Sequence, residues 1–92
     1  KRPNLYALEK EIGNIESPTL IINGDEDDMC LEVGLFLKRT IKTSGLLIVP
    51  KTGHTINLEE PALFNSHLLE FYSSINASSW RKRDKRAGII KF

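Results

Sequence analysis

The chain has 92 residues and a formal net charge of +1, and its composition is 40% hydrophobic and 27% charged. These proportions are ordinary for a soluble globular protein and exclude a disordered chain. No apolar run approaches the roughly 18 residues that a membrane-spanning helix needs. The single cysteine, Cys30, excludes an internal disulfide framework and indicates a reducing compartment, so we expect a cytoplasmic location.

The first third of the sequence predicts a helix, a break and a strand. Residues 4–12 carry apolar side chains at helical spacing, and Gly13 is a suitable stop. Pro18 breaks the helical pattern, because the residue before a proline avoids helical backbone. The run at 19–22, TLII, is short and continuously apolar, which predicts a buried strand that ends near Gly24.

The rest of the sequence predicts two more helices around a second strand. Residues 31–43 read as a helix, although Gly34 inside it weakens that prediction. Residues 46–49, LLIV, read as a second apolar strand, and Pro61 suits the first position of a last helix. The apolar stripe of this last helix consists of Phe64, Leu68, Phe71 and Ile75.

The predicted order is therefore helix, strand, helix, strand, helix, followed by a basic tail. Continuous apolar strands joined through a helix predict an α/β fold with a mostly parallel sheet that is covered on both faces. Two parallel strands alone leave open edges, and open edges invite pairing with other chains. We therefore expect further strands upstream, in a missing N-terminal part of the domain, and self-association of the chain without them.

Two loops at the carboxyl ends of the strands carry candidate site residues. The first, GDEDDMC, contains Asp27, and the second, KTGHTINLEEP, contains His54. Ligands of open parallel sheets bind beyond these strand ends, where neighbouring loops lie side by side. Because a carboxylate that accepts a hydrogen bond from an imidazole fixes its tautomer, we expect Asp27 and His54 to work together in proton transfer.

The segments SPTLIINGDEDDMC and LLIVPKTGHTINLEEPALFNSHLLEFY resemble the C-terminal part of an α/β-hydrolase-fold protein. The resemblance covers roughly residues 15–75 and includes an acid three residues after Gly24 and the Gly-His pair that ends in His54. In that family the chain order is nucleophile, acid, histidine. The resemblance implies that Asp27 is the acid and His54 the histidine of a Ser-His-Asp-type triad.

The sequence departs from the family at the nucleophile. None of the seven serines stands in a Gly-x-Ser-x-Gly setting, which is where the family places its nucleophile. Cys30 is a poor substitute, since it lies three residues after Asp27 on the loop of the acid itself. We therefore expect the nucleophile upstream and predict that this segment alone is inactive.

The resemblance implies an enzyme that hydrolyses a small ester or amide-like substrate through a covalent intermediate, without a cofactor. His54 would activate the nucleophile and then protonate the leaving group, and Asp27 would orient His54. The alternative is a non-catalytic binding or regulatory protein on the same scaffold. A Gly-x-Ser-x-Gly run upstream would favour the enzyme.

Other residues near the two loops have simpler interpretations. By position in the loop, Asp27 is favoured over the neighbouring Asp25 and Asp28, of which Asp28 is a candidate helix cap. A calcium loop fits poorly, because its turn glycine would fall on Cys30. His67 lies off the apolar stripe and reads as a surface residue, so the two histidines show no metal-ligand spacing. Side chains that flank the pair and are candidates to line a substrate pocket are Met29, Cys30, Thr55 and Ile56.

Charge divides the chain into two parts. Residues 1–79 carry seven basic and eleven acidic side chains, whereas residues 80–92 carry six basic side chains and one acid. We therefore divide the chain into the C-terminal part of an α/β-hydrolase-like domain, 1–79, and a basic C-terminal tail, 80–92. The tail permits contact with nucleic acid or an anionic membrane, but a solvated segment or an extra helix packed on the parent domain explains the same residues. The acidic body argues against a nucleic-acid module.

Overall fold

A computed structural model describes residues 4–84. The described residues form an α/β unit with the predicted order of helix, strand, helix, strand and helix. A 3₁₀ turn precedes the first helix, and one short helix precedes the last. The elements are the 3₁₀ turn Leu5–Leu8, α1 (Glu9–Ile12), β1 (Thr19–Gly24), α2 (Asp28–Thr40), β2 (Ser44–Val49), α3 (Ile56–Glu59) and α4 (Pro61–Asn76).

The two strands pair in parallel with no offset. The register runs from Thr19 opposite Ser44 to Gly24 opposite Val49, so the carboxyl ends of β1 and β2 are level. Helix α2 connects the strands, as a parallel pair requires. The predicted parallel arrangement is therefore confirmed, and the loops that follow the two strands leave the sheet at the same edge.

The core of the described residues is small. Its buried apolar side chains are Ile41, Val49 and Ile56. Most of both strands is only half-buried, and Ile48 on β2 remains 41% exposed. The sheet is thus incompletely covered by the helices of the described chain.

Helix α2 and strand β2 differ from the prediction at their boundaries. The helix begins at Asp28 and ends at Thr40, earlier at both ends than the predicted range of 31–43. Ile41 adopts extended backbone (φ −91°, ψ 109°) and is buried, because its side chain enters the core instead of continuing the helical face. Strand β2 begins at Ser44, since backbone pairing with Thr19 extends the ladder beyond the apolar run.

Two other features were not anticipated from the apolar pattern. The short helix α3 lies inside the stretch predicted as a loop, because four residues are too few to show a helical period. Gly34 belongs to α2 because the helix passes close to β1: a Cβ at this position would overlap the Asn23 side chain. The four residues of the apolar stripe of α4 are half-buried, whereas Leu69 on another face is 67% exposed.

Trp80 fastens the start of the basic segment to the body of the fold. Its indole Nε1 donates a hydrogen bond to the Thr43 carbonyl at 2.6 Å. Its ring lies over Gly45 and meets Phe71 edge-on, with ring centroids 4.8 Å apart. The backbone N–H of Arg83 continues the contact by donating to the carbonyl of Lys42.

Most of the predicted basic tail, residues 85–92, lies outside the described residues. Within residues 4–84, no helix combines the length and apolar character needed to cross a membrane.

Gly24, the last residue of β1, lies directly against the loop that follows β2. A Cβ there would overlap the backbone carbonyl oxygens of Thr52 and Gly53, and backbone atoms move less easily than the end of a side chain. We predict that Gly24→Ala lowers the free energy of unfolding by about 1–3 kcal/mol through overpacking. Urea denaturation of the 92-residue chain, followed by circular dichroism, measures this change.

Gly53→Ala is the matched control, because its Cβ would approach only the flexible carboxylate of Glu59, at 3.3 Å. An equal loss of stability in both variants would contradict the close-approach argument at Gly24.

Candidate active site

The acid loop, residues 25–27, is held in place by its backbone. The N–H of Asp25 donates to the carbonyl of Val49, and the N–H of Glu26 donates to the carbonyl of Thr52. These bonds tie the loop after β1 to the end of β2 and to the loop that follows it. Asp27 then occupies the N-cap position of α2, with its side chain directed to the neighbouring loop.

The histidine loop, residues 50–55, turns sharply after β2. Lys51 has a positive φ of 55°, and the hydroxyl of Thr52 donates to the carbonyl of Pro50. Thr52 is completely buried, which anchors the loop in the fold. His54 follows two residues later and has a side chain that is 78% exposed.

Glu59 braces the histidine loop on both sides of His54. Its Oε1 accepts a hydrogen bond from the Gly53 N–H at 3.2 Å, and its Oε2 accepts one from the Thr55 hydroxyl at 3.1 Å. The sequence reasoning missed this residue. The available signal was the i, i+4 spacing of Thr55 and Glu59, which places the two side chains on one face of a helical turn.

The structure brings Asp27 and His54 into direct contact. The His54 Nδ1 lies 2.7 Å from the Asp27 Oδ2, and the Asp27 side chain is only 18% exposed. Among the described residues, neither Asp25 nor Asp28 makes a hydrogen bond to His54. Of the three acids, Asp27 is the one that the fold joins to the histidine.

This contact determines where the proton of the imidazole lies. The hydrogen bond from His54, followed by one from the Cys30 thiol, lowers the pKa of Asp27 below its usual value. An ionised carboxylate only accepts hydrogen bonds, so Nδ1 of His54 carries the proton. In the neutral form of the imidazole the other nitrogen, Nε2, has a free lone pair, and it makes no hydrogen bond within residues 4–84.

The same contact changes the expected helix cap. Asp28 does not cap α2, because it is the first helical residue, and Asp27 stands at the N-cap instead. The carboxylate of Asp27 makes no capping hydrogen bond to the helix, although the Cys30 backbone N–H contributes weakly to lowering its pKa. The Asp27 side chain thus bonds to the imidazole of His54 and does not cap the helix.

Cys30 lies beside the pair, on the Nδ1 side of the imidazole. Its Sγ is 3.7 Å from the His54 Nδ1. A hydrogen bond to Asp27, and then burial, raise the pKa of the thiol, so Cys30 is protonated near neutral pH. Its position on the Nδ1 side is unsuited to a nucleophile that a base at Nε2 would activate.

The other residues considered for the site differ in exposure and in hydrogen bonding. Met29 is 80% exposed next to the acid loop, whereas Ile56 is buried in the core. The Thr55 hydroxyl is engaged with Glu59. His67 has a side chain that is 39% exposed and lies 3.8 Å from the Glu70 carboxylate, away from the two loops.

The tautomer of His54 provides a direct test of this geometry. We predict that ring ¹⁵N–¹H NMR of the 92-residue chain shows the Nδ1–H form of neutral His54. Asp27→Ala removes the acceptor and should shift His54 towards the Nε2–H form, because the tautomer follows the hydrogen bond that each nitrogen makes. The ring signals of His67 should stay unchanged and provide an internal control. An Nε2–H form in the unmutated chain would contradict the assignment.

Comparison with known proteins identifies relatives of the chain. No family model matches the sequence. The chain is 34% identical over 74 residues to the putative 2-succinyl-6-hydroxy-2,4-cyclohexadiene-1-carboxylate synthase of Bacillus subtilis (strain 168), in a match that covers 80% of this chain and 26% of that protein. It also matches the structure of MenH from S. aureus with a TM-score of 0.70 and 28% identity, over 73% of this chain and 25% of that one.

The chain therefore spans about a quarter of the length of each of these relatives. Similarity in sequence and in structure agrees with the resemblance noted from the residues around Asp27 and His54. The chain has the fold of the C-terminal portion of the α/β-hydrolase superfamily.

Proposed function

We propose that Asp27 and His54 form the acid and base of a Ser-His-Asp-type triad. The observation that carries this proposal is the 2.7 Å hydrogen bond between His54 Nδ1 and Asp27 Oδ2, which leaves Nε2 available on an exposed ring. The similarity to α/β-hydrolase-fold proteins supports the same pairing, since the family orders its triad as nucleophile, acid and histidine.

In the proposed reaction, Nε2 of His54 takes the proton of a nucleophile as that group attacks the substrate. His54 then returns the proton to the leaving group, and the charge of Asp27 stabilises the imidazolium formed between these steps. The bond that is broken is an ester or amide-like bond of a small molecule. The nucleophile and the donors for the oxyanion come from the N-terminal part of the domain, so this chain alone is inactive.

The name of the curated relative favours a second candidate reaction. That protein is named as a synthase of a cyclohexadiene carboxylate, and the name does not describe a hydrolase. A base at Nε2 that is oriented by a carboxylate serves any reaction that begins with removal of a proton. The second candidate is therefore synthase chemistry of the kind named for the relative, with His54 and Asp27 in the same roles.

We also propose a cytoplasmic location for the protein, because its one cysteine is unpaired and lies beside the site. The basic segment that begins at Trp80 needs no nucleic-acid or membrane partner to account for its first residues, since they pack on the body of the fold.

Asp27→Asn tests the triad in the complete protein. We predict that turnover falls by about four orders of magnitude while the fold is retained, because the amide no longer fixes the productive tautomer of His54. Release of p-nitrophenol from small esters tests the hydrolase, and formation of the product named for the relative tests the synthase. Asp25→Asn, on the same loop and without a bond to His54, is the matched control and should retain activity. Near-normal turnover of Asp27→Asn in both assays would exclude the assignment.

A fluorophosphonate probe separates the enzyme from a non-catalytic binding protein on the same scaffold. We predict that the complete protein is labelled on one serine outside residues 1–92, and that His54→Gln prevents labelling because the serine loses its base. Mass spectrometry of the labelled peptide gives the position. A complete protein that resists labelling would favour the binding alternative.

A further inference from the structure

Three side chains with different metal-binding chemistry meet at the site. The carboxylate of Asp27, the thiol of Cys30 and the imidazole of His54 each offer one ligand atom, and these atoms all lie within 4.8 Å of one another. The triad uses two of the three residues and leaves Cys30 without a role. No ligand spacing is visible in the sequence, because 24 residues separate Cys30 from His54 and the parallel strands bring them together.

Two of the three distances between ligand atoms are close to those of a tetrahedral zinc site, and the third is at most 4.8 Å. With Zn–S of about 2.3 Å, and Zn–N and Zn–O of about 2.0–2.2 Å, neighbouring ligand atoms lie about 3.3–3.6 Å apart. The Cys30 Sγ and the His54 Nδ1 are 3.7 Å apart, which needs little change. Nδ1 and the Asp27 Oδ2 are 2.7 Å apart, so they would have to separate by about 0.6 Å to reach that spacing.

The ligand set also selects the kind of cation. One sulfur, one imidazole nitrogen and one carboxylate oxygen suit Zn²⁺, whereas Mg²⁺ and Ca²⁺ require shells of oxygen. Water can complete the coordination from the open side, because the His54 side chain is 78% exposed.

We propose that Asp27, Cys30 and His54 bind a thiophilic divalent cation of the Zn²⁺ type, and that this cation competes with the hydrogen bond between Asp27 and His54. Binding replaces the Nδ1–H bond to the carboxylate with a metal–nitrogen bond. The imidazole stays neutral, because its proton moves from Nδ1 to Nε2. The thiol binds as thiolate, so one proton is released to solvent for each cation bound.

The consequence for catalysis rests on the proposed function. With the cation on Nδ1, Nε2 carries a proton and cannot accept one from the nucleophile. The cation therefore acts as an inhibitor that switches the base off through its tautomer, and the reaction itself needs no metal.

Titration of the 92-residue chain with Co²⁺, as a spectroscopic substitute for Zn²⁺, tests the site. Cys30 is the single cysteine of the sequence, so a thiolate-to-cobalt charge-transfer band reports on this residue alone. We expect one Co²⁺ per chain and displacement of Co²⁺ by Zn²⁺. In the diamagnetic Zn²⁺ form, the ring NMR spectrum should show conversion of His54 to the Nε2–H tautomer.

Variants then separate the three ligands. Cys30→Ser should abolish the charge-transfer band, and His54→Gln and Asp27→Asn should each weaken cobalt binding by about tenfold or more. His67→Gln removes the other histidine and should leave the affinity unchanged. Circular dichroism of each variant checks that the fold is retained, and urea should remove the band, because the site depends on the folded strands.

Absence of the band, or an affinity that does not change in His54→Gln and Asp27→Asn, would overturn the site. A band of equal affinity in urea would do the same, since it would report on the unfolded chain. The inhibitory role is tested separately, by whether Zn²⁺ reduces turnover of the complete protein. If Co²⁺ binds as described while Asp27→Asn leaves turnover unchanged, the cation site stands and the triad assignment fails.

Discussion

The hydrogen bond between Asp27 and His54 depends on the parallel register of two strands. Gly24 and Val49 are the last paired residues of β1 and β2, so the chain leaves both strands at one level. The backbone of the acid loop then bonds to the end of β2 and to Thr52 within the histidine loop. Since Gly24 has no side chain, the carbonyls of Thr52 and Gly53 lie against it. Backbone contacts therefore fix the separation of the two loops. This separation in turn sets the distance between the side chains of Asp27 and His54.

The sequence predicts this arrangement as far as it depends on regular elements. Two apolar runs joined through a helix predict parallel strands, and the strand-end rule places Asp27 and His54 near each other. The beginning of α2 at Asp28 was not predicted, because acidic residues read equally well as a solvated turn. Helix α3 was missed because its four residues show no period. The position of Cys30 over the Nδ1 side depends on the angle at which α2 leaves the acid loop, and no sequence pattern encodes that angle.

The contact of Glu59 with the histidine loop is a second feature that the sequence does not predict. Glu59 follows His54 by five positions and sits on a helix too short to recognise, yet it accepts hydrogen bonds from both neighbours of that histidine. Its carboxylate thereby holds the backbone that carries the imidazole, while the carboxylate of Asp27 holds the ring itself. Two acids with similar chemistry have separate tasks, and only the three-dimensional structure distinguishes them.

The placement of Asp27 at the start of α2 gives one side chain two competing uses, capping of the helix and orientation of the His54 imidazole. An N-cap side chain ordinarily stabilises a helix by accepting a hydrogen bond from its first turn. The Asp27 carboxylate is instead directed to His54 and makes no capping hydrogen bond to α2, and the Cys30 backbone N–H affects its pKa less than the imidazole does. A residue that capped this helix better would make the fold more stable and the imidazole less well oriented. If Asp27 has the role proposed above, selection for thermal stability alone would tend to remove the acid, whereas selection for turnover would retain it.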